Sequence, residues 1–305
     1  MIKFTMAERI VTTFDIGGTN MRAAVVSATG KDWRLLDQIR RPTPNYLLVN
    51  GIPTIQRLED LLVFITNYTN HAIGHFGAQS VVIAIPGPVD KNGAVLALPT
   101  MWGPDSQEMC PLDLVGMLKV RLPEMMINVM NDVSAAGYRF VTDGGDFAIF
   151  TLGSGVGLKV FIDGKPQVGP YGRGGELTHM VFNPSLEAPL CDCGGRGHLG
   201  ALVSGRAWQR RVSLALKTGD SPDLQSFVEP LARAIAMLHY SLGLERFFLA
   251  GGLADGVGEP LRAATVNRLP EQGWNAGQDW DSMLKLAPTD DMHALIGGAL
   301  IGAFK

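Results

Sequence analysis

This chain predicts an α/β protein of two tandem domains that repeat one topology. Three observations carry that expectation. Apolar strands that end in glycine turns recur at matching places in the two halves, at residues 15–19 and 151–157. Each half opens with three strands and then alternates helices with short apolar strands. The length of 305 residues exceeds what one core usually organises, and 46% hydrophobic with 18% charged residues is an ordinary globular balance.

The elements follow in order. RIVTTFDIGGT is a strand running into a glycine turn, and AAVVSATGKDWRLLDQIRRPT is two strands joined at Thr29-Gly30. From Thr54 to about Phe76, Ile55, Leu58, Leu61, Leu62 and Ile65 recur at helical spacing. VVIAIPGPVD is a strand stopped by Pro and Gly; LDLVGMLKVRL is a helix, MMINVMND a strand and VSAAGYRF a helix. A boundary falls at residues 141–146, where TDGGD sits, so the domains are expected at 1–143 plus 290–305 and at 144–289. DFAIFTLGSGVGLKVFIDGKPQVG then supplies three strands, with helices at about 201–217 and 224–242; Phe227, Leu231, Ile235, Leu238 and Leu242 stripe the second. RFFLAGGLADG is a strand ending in glycines, SMLKLAP the last strand, and DDMHALIGGALIGAF a terminal helix capped by Thr289 or Asp290.

Composition excludes several function classes. A net charge of −3 gives no reason to expect nucleic acid or an anionic membrane as partner. Three cysteines are too few for a disulfide framework. No apolar leader opens the sequence and no apolar stretch spans a bilayer, so a soluble, cytoplasmic protein is expected.

Five stretches carry chemistry. Asp15-Ile16-Gly17-Gly18-Thr19-Asn20 follows a strand; its glycines let backbone N–H groups approach phosphate oxygens, Thr19 and Asn20 add donors, and Asp15 offers a carboxylate to Mg²⁺. Gly153-Ser154-Gly155 ends a strand in the second half, and Gly251-Gly252 ends another, where a flat glycine surface suits an adenine ring. Taken singly, each is as readily a plain turn; together they point to nucleotide phosphates. Asn131-Asp132 closes an apolar strand, so Asp132 is either a helix cap or a general base that takes a proton from an attacking hydroxyl. Finally, Cys191 and Cys193 lie one residue apart in a glycine-rich turn, with His198 five residues on and His179 twelve back: a Cys₂His₂ set for structural Zn²⁺. Glu176 sits three residues from His179, so a metal that fixes one fixes the loop carrying the other.

The ordered set DIGGTNMR, IPGPVD, the ND pair, TLGSGVG, GRGGELTH and CDCGGRGH resembles the ROK family (repressor, open reading frame, kinase) over essentially the whole chain. The resemblance implies two ribonuclease H-like, hexokinase/actin-like domains around a central cleft, with ATP and Mg²⁺ as cofactors and a homodimer as the assembly. It implies Asp132 as catalytic base, Asn131 and Glu176 as sugar ligands, and His179 as a ligand of both sugar and Zn²⁺. The activity implied is that of a glucokinase-like sugar kinase acting at a 6-hydroxyl. An N-acetylhexosamine kinase, a fructokinase and a non-catalytic sugar sensor are the alternatives. The family's repressors carry a helix-turn-helix ahead of the first glycine motif, for which Asp15 leaves no room. Departures are His198 for the family's third Cys, Gly200 for a glutamate that touches the sugar near C1 and C2, Thr178 for a Gly, and Leu98-Pro99-Thr100-Met101-Trp102 for the family's Asn-containing loop, with Trp102 placed near the cleft mouth.

Overall fold

The computed structural model describes residues 8–46, 51–103 and 108–304; the opening heptad, read above for a leader, lies outside them. The chain divides into two compact units.

The first unit, residues up to Gly144 with Val168–Gly174 and the chain from Met292, is built on β1 (Arg9–Ile16), β2 (Asn20–Thr29), β3 (Asp32–Pro42), β4 (Ser80–Ile85) and β5 (Met126–Asn131). The sheet order is β3-β2-β1-β4-β5. The first three strands are antiparallel, and β4 and β5 run parallel to β1. β4 is buried at every position, so it reads as a continuous apolar run without alternation. β3 forms the edge, and its Arg34, Arg40 and Arg41 keep it from pairing further. The helix Thr54–Phe76 turns Leu58, Leu61, Leu62, Ile65 and Tyr68 into the core and stops at Gly77, whose φ of 71° is a left-handed cap. Ile55, expected on that stripe, is 64% exposed because it sits in the first turn. Trp102 is not at a cleft mouth: it is 3% exposed, packed in this unit's core with Met101 and Leu98.

The second unit carries β6 (Phe147–Leu152), β7 (Val156–Ile162), β8 (Lys165–Pro166), β9 (Phe247–Ala250) and β10 (Leu284–Leu286), in the order β10-β9-β6-β7-β8. Read from its other edge this is the same order as in the first unit, with the same change from antiparallel to parallel pairing. Both units are therefore ribonuclease H-like. The helix Leu224–Leu242 lays Phe227, Leu231 and Ile235 on this sheet, and Leu242 ends half exposed.

Two sequence expectations shift, and two helices add to the pattern. The helix expected at about 201–217 breaks at Ser204 into Leu199–Val203 and Gly205–Thr218, the second capped by the Ser204 hydroxyl accepting from Ala207 N. Two helices, Gly252–Val257 and Glu259–Arg268, lie between β9 and β10, where the sequence pattern assigns no element. Pro260 lies in the first turn, where its missing N–H costs nothing. The last helix begins at His293, so neither Thr289 nor Asp290 stands at its cap position.

Candidate active site

In the first unit the parallel strands bring two of the motifs to one edge of the sheet. Asp15 pairs with Ala84, and Ile85 with Asn131, so the turn after β1 and the Asn131-Asp132 pair both lie at strand C-terminal ends. Two strand spacings, about 10 Å, separate them across the sheet. Ligands of open α/β sheets gather at this edge.

The turn after β1 is held from below. Gly17 N donates to Asn20 O at 2.9 Å, Thr43 Oγ1 donates to Gly17 O at 2.6 Å, and Asn45 Nδ2 donates to Gly18 O. Thr43 N also donates to Thr19 O at 2.9 Å. Thr43 and Asn45 follow β3, far from the motif in sequence, and no local signal marks them as its supports. Asp15 is 7% exposed and ion-paired through Oδ2 to Arg22 Nη2. The Asn20 side chain accepts from Arg40 Nε at 3.2 Å, while Thr19 is exposed.

At the end of β5 the cap of the helix Asp132–Tyr138 is Asn131, not Asp132. Asn131 Oδ1 accepts from Val133 N and Ser134 N, both at 3.1 Å. Its Nδ2 donates to Gly87 O and to Asp132 Oδ1, both at 3.0 Å. Every hydrogen-bonding position of the amide is thus taken by protein. The side chain of Asn131 thus serves the cap and orients its neighbour. Asp132 Oδ1 also accepts from Val133 N at 2.8 Å, which fixes the carboxylate at the first turn of the helix.

In the second unit Thr151 pairs with Ala250, so the glycine turns after β6 and β9 adjoin. Gly205 N, at the start of the helix Gly205–Thr218, donates to Gly153 O at 2.7 Å. Arg206 Nε donates to Ser154 O at 2.8 Å and its Nη2 pairs with Asp192, the residue between the two cysteines. The residues 153–155 and 251–252 thus share one end of this sheet. Beside them Asp255 is held above the usual carboxylate range, chiefly by burial and then by facing Asp291 and Asp290.

The remaining residues converge on one point. One ligand atom each from His179, Cys191, Cys193 and His198 lies within 4.8 Å of the others. Cys191 Sγ is 3.7 Å from His179 Nδ1, and Cys193 Sγ is 3.2 Å from His198 Nδ1. Tetrahedral zinc, bonded at about 2.3 Å to sulfur and about 2.0–2.1 Å to nitrogen, sets such atoms about 3.5 Å apart, so the donor set fits the ion. Gly195 makes the fold of this loop possible: a Cβ there would lie 2.0 Å from His198 Cε1. His179 Nε2 points the other way, 4.0 Å from Glu176 Oε2. Glu176 Oε1 accepts from Lys159 Nζ at 2.8 Å, a partner the sequence reading missed because a lysine in a strand reads as a solvated face.

Comparisons with known proteins bear on the family and the fold. A C(7)-cyclitol 7-kinase of Streptomyces hygroscopicus subsp. jinggangensis (strain 5008) is 29% identical, with 97% of this chain and 95% of that protein aligned. An N-acetylmannosamine kinase of Escherichia coli O127:H6 is 32% identical over 63% of this chain and 60% of its own length. The structure of a ROK family glucokinase from Streptomyces griseus, in complex with glucose and AMPPNP, superposes with a TM-score of 0.73 at 22% identity, covering 97% of this chain and all of the other. Residues 11–302 match the sequence profile of the ROK family. The chain belongs to the ROK family.

Proposed function

We propose that this protein transfers the γ-phosphoryl group of ATP to a hydroxyl of a neutral polyhydroxylated ring, with Asp132 as general base. It is an ATP-dependent carbohydrate kinase, and the family match together with its kinase relatives supports this. The observation that carries the catalytic role is local. Asn131 serves the helix as its cap, so Asp132 is not needed there and stands fixed at a strand end with its carboxylate oriented. In the step itself Asp132 accepts the hydroxyl proton and the alkoxide oxygen bonds to the γ-phosphorus. The bond from that phosphorus to the β,γ-bridging oxygen breaks, and ADP leaves. Residues 17–20, 153–155 and 251–252 are the proposed nucleotide contacts. Asp15 is the residue that would hold Mg²⁺, which when bound neutralises phosphate charge. Glu176 and His179 are proposed to take the acceptor's hydroxyls. Zn²⁺ on His179, Cys191, Cys193 and His198 would serve structure, since four protein ligands leave no open position. Reduced thiols suit a cytoplasmic setting, and we propose a homodimer as the assembly.

The acceptor is the finer question. Transfer to the 6-hydroxyl of glucose is the reading by resemblance, with N-acetylhexosamines and fructose as competitors. Two observations favour a C7 cyclitol instead: the cyclitol kinase relative aligns over 97% of this chain, and Gly200 stands where the family glutamate meets the sugar near C1 and C2. A carbocycle has no anomeric centre for that glutamate to hold.

A coupled ADP-release panel of glucose, N-acetylmannosamine, fructose and a C7 cyclitol tests both levels. The expected result is turnover with a ring polyol and a preference for the cyclitol. Binding of every sugar by thermal shift with no ADP release would make the protein a sensor, and glucose as best acceptor would end the cyclitol reading. Gly200→Glu sharpens the test. A Cβ at Gly200 would meet Thr178 O at 3.5 Å, an ordinary contact, so the backbone there has room for a side chain to start. It is expected to raise kcat/KM for glucose relative to the cyclitol by about tenfold, the scale of one added hydrogen-bonded contact to an acceptor hydroxyl.

A further inference from the structure

Lys159 sits in the middle of β7 with its side chain 2% exposed. A buried lysine normally threads its ammonium out to water. Here the ammonium instead ends 2.8 Å from Oε1 of Glu176, whose side chain is 36% exposed. The backbone is shaped around this contact. Gly175, at φ +80°, lies so close that a Cβ would be 3.2 Å from both Cδ and Nζ of Lys159. For stability alone such a pair is a poor choice, because a well-packed apolar residue does as well without the desolvation cost. An ion pair at this point therefore calls for another reason.

We infer that Lys159 is a positioning and specificity residue for the phosphoryl acceptor. This rests on the reading above in which Glu176 contacts that acceptor. Lys159 pins one carboxylate oxygen and leaves the plane of the group turned so that Oε2 faces the His179 side, 4.0 Å from Nε2. It also cancels the charge of Glu176, so the site selects a neutral polyol and gives a cationic amino sugar no electrostatic advantage.

The test uses the intact protein with Lys159→Met, Glu176→Gln and the double variant. KM is measured for ATP and for the best neutral acceptor of the panel, and inhibition constants for glucosamine, with zinc content and melting followed in parallel. Lys159→Met is expected to raise the acceptor KM by about tenfold or more while the ATP KM and zinc content stay within about twofold. With the carboxylate charge unmasked, glucosamine is expected to bind about tenfold more tightly relative to the neutral acceptor, a shift that a purely structural role would not produce. In the double variant the two effects on acceptor KM should not add. An acceptor KM within about twofold of the parent in Lys159→Met, alongside a raised KM in Glu176→Gln, would overturn the role of Lys159 and leave the functional reading intact. An unchanged KM in Glu176→Gln would remove Glu176 from the acceptor site, and this inference with it. If Lys159→Met gives no cooperative melt, Lys159→Gln keeps an N–H donor without the charge and should raise the acceptor KM by about three- to tenfold; parent-like values there overturn the inference as well.

Discussion

Asp132→Asn is expected to lower kcat by about 10²- to 10⁴-fold, the usual span for a positioned general base. Acceptor affinity should change little, because the amide keeps the shape of the carboxylate and loses its basicity. The fold should survive as well. Asn131 carries the cap, and the oxygen of the new amide can accept from Val133 N as Oδ1 of Asp132 does now. Steady-state ADP release with the best acceptor, beside calorimetric binding of that acceptor, reads both effects. A variant turning over near the parent rate would reduce Asp132 to a residue of the first helical turn.

The second large effect is expected at the cysteine turn. Cys193→Ala takes one thiolate from the set of His179, Cys191, Cys193 and His198. Metal analysis should fall from about one zinc per chain to a small fraction of that, since a site of this kind needs its full set of donors. His179 then loses what fixes its Nδ1, and Glu176, three residues away, loses its reference point. The acceptor KM should rise by about 10- to 100-fold, the scale seen when the supports of a metal site are removed. Prolonged chelation of the parent protein should reproduce both changes. A folded, metal-free protein with the parent KM would separate the cysteine turn from the acceptor site altogether.

Much of this was legible in the sequence because strands and glycine turns are local signals. β1, β4, β6 and β9 are short apolar runs with a glycine close behind, and each appears where the pattern puts it. The four zinc-compatible side chains lie within one short stretch, so spacing alone could join them. What stayed hidden depends on contacts distant in sequence. Thr43 and Asn45 support a turn more than twenty residues away, at separations of 26 and 27. Lys159 looks solvated until the loop bearing Glu176 folds over it. Asn131 and Asp132 are both good caps, and no sequence argument chooses between neighbours of equal propensity. The helix Glu259–Arg268 escaped notice because Gly258 and Pro260, which begin it, are also the residues that end helices.

The last helix, His293–Phe304, has a bearing on how the molecule comes into being. Its Leu295 and Ala299 complete a core with Val11, Ala24, Val26 and Val82, and Ile296 and Leu300 pack with Ala28. A ribosome releases those strands well before their cover. That layer therefore waits, one apolar face uncovered, while the second unit is synthesised, and that interval is when a nascent chain most needs a chaperone.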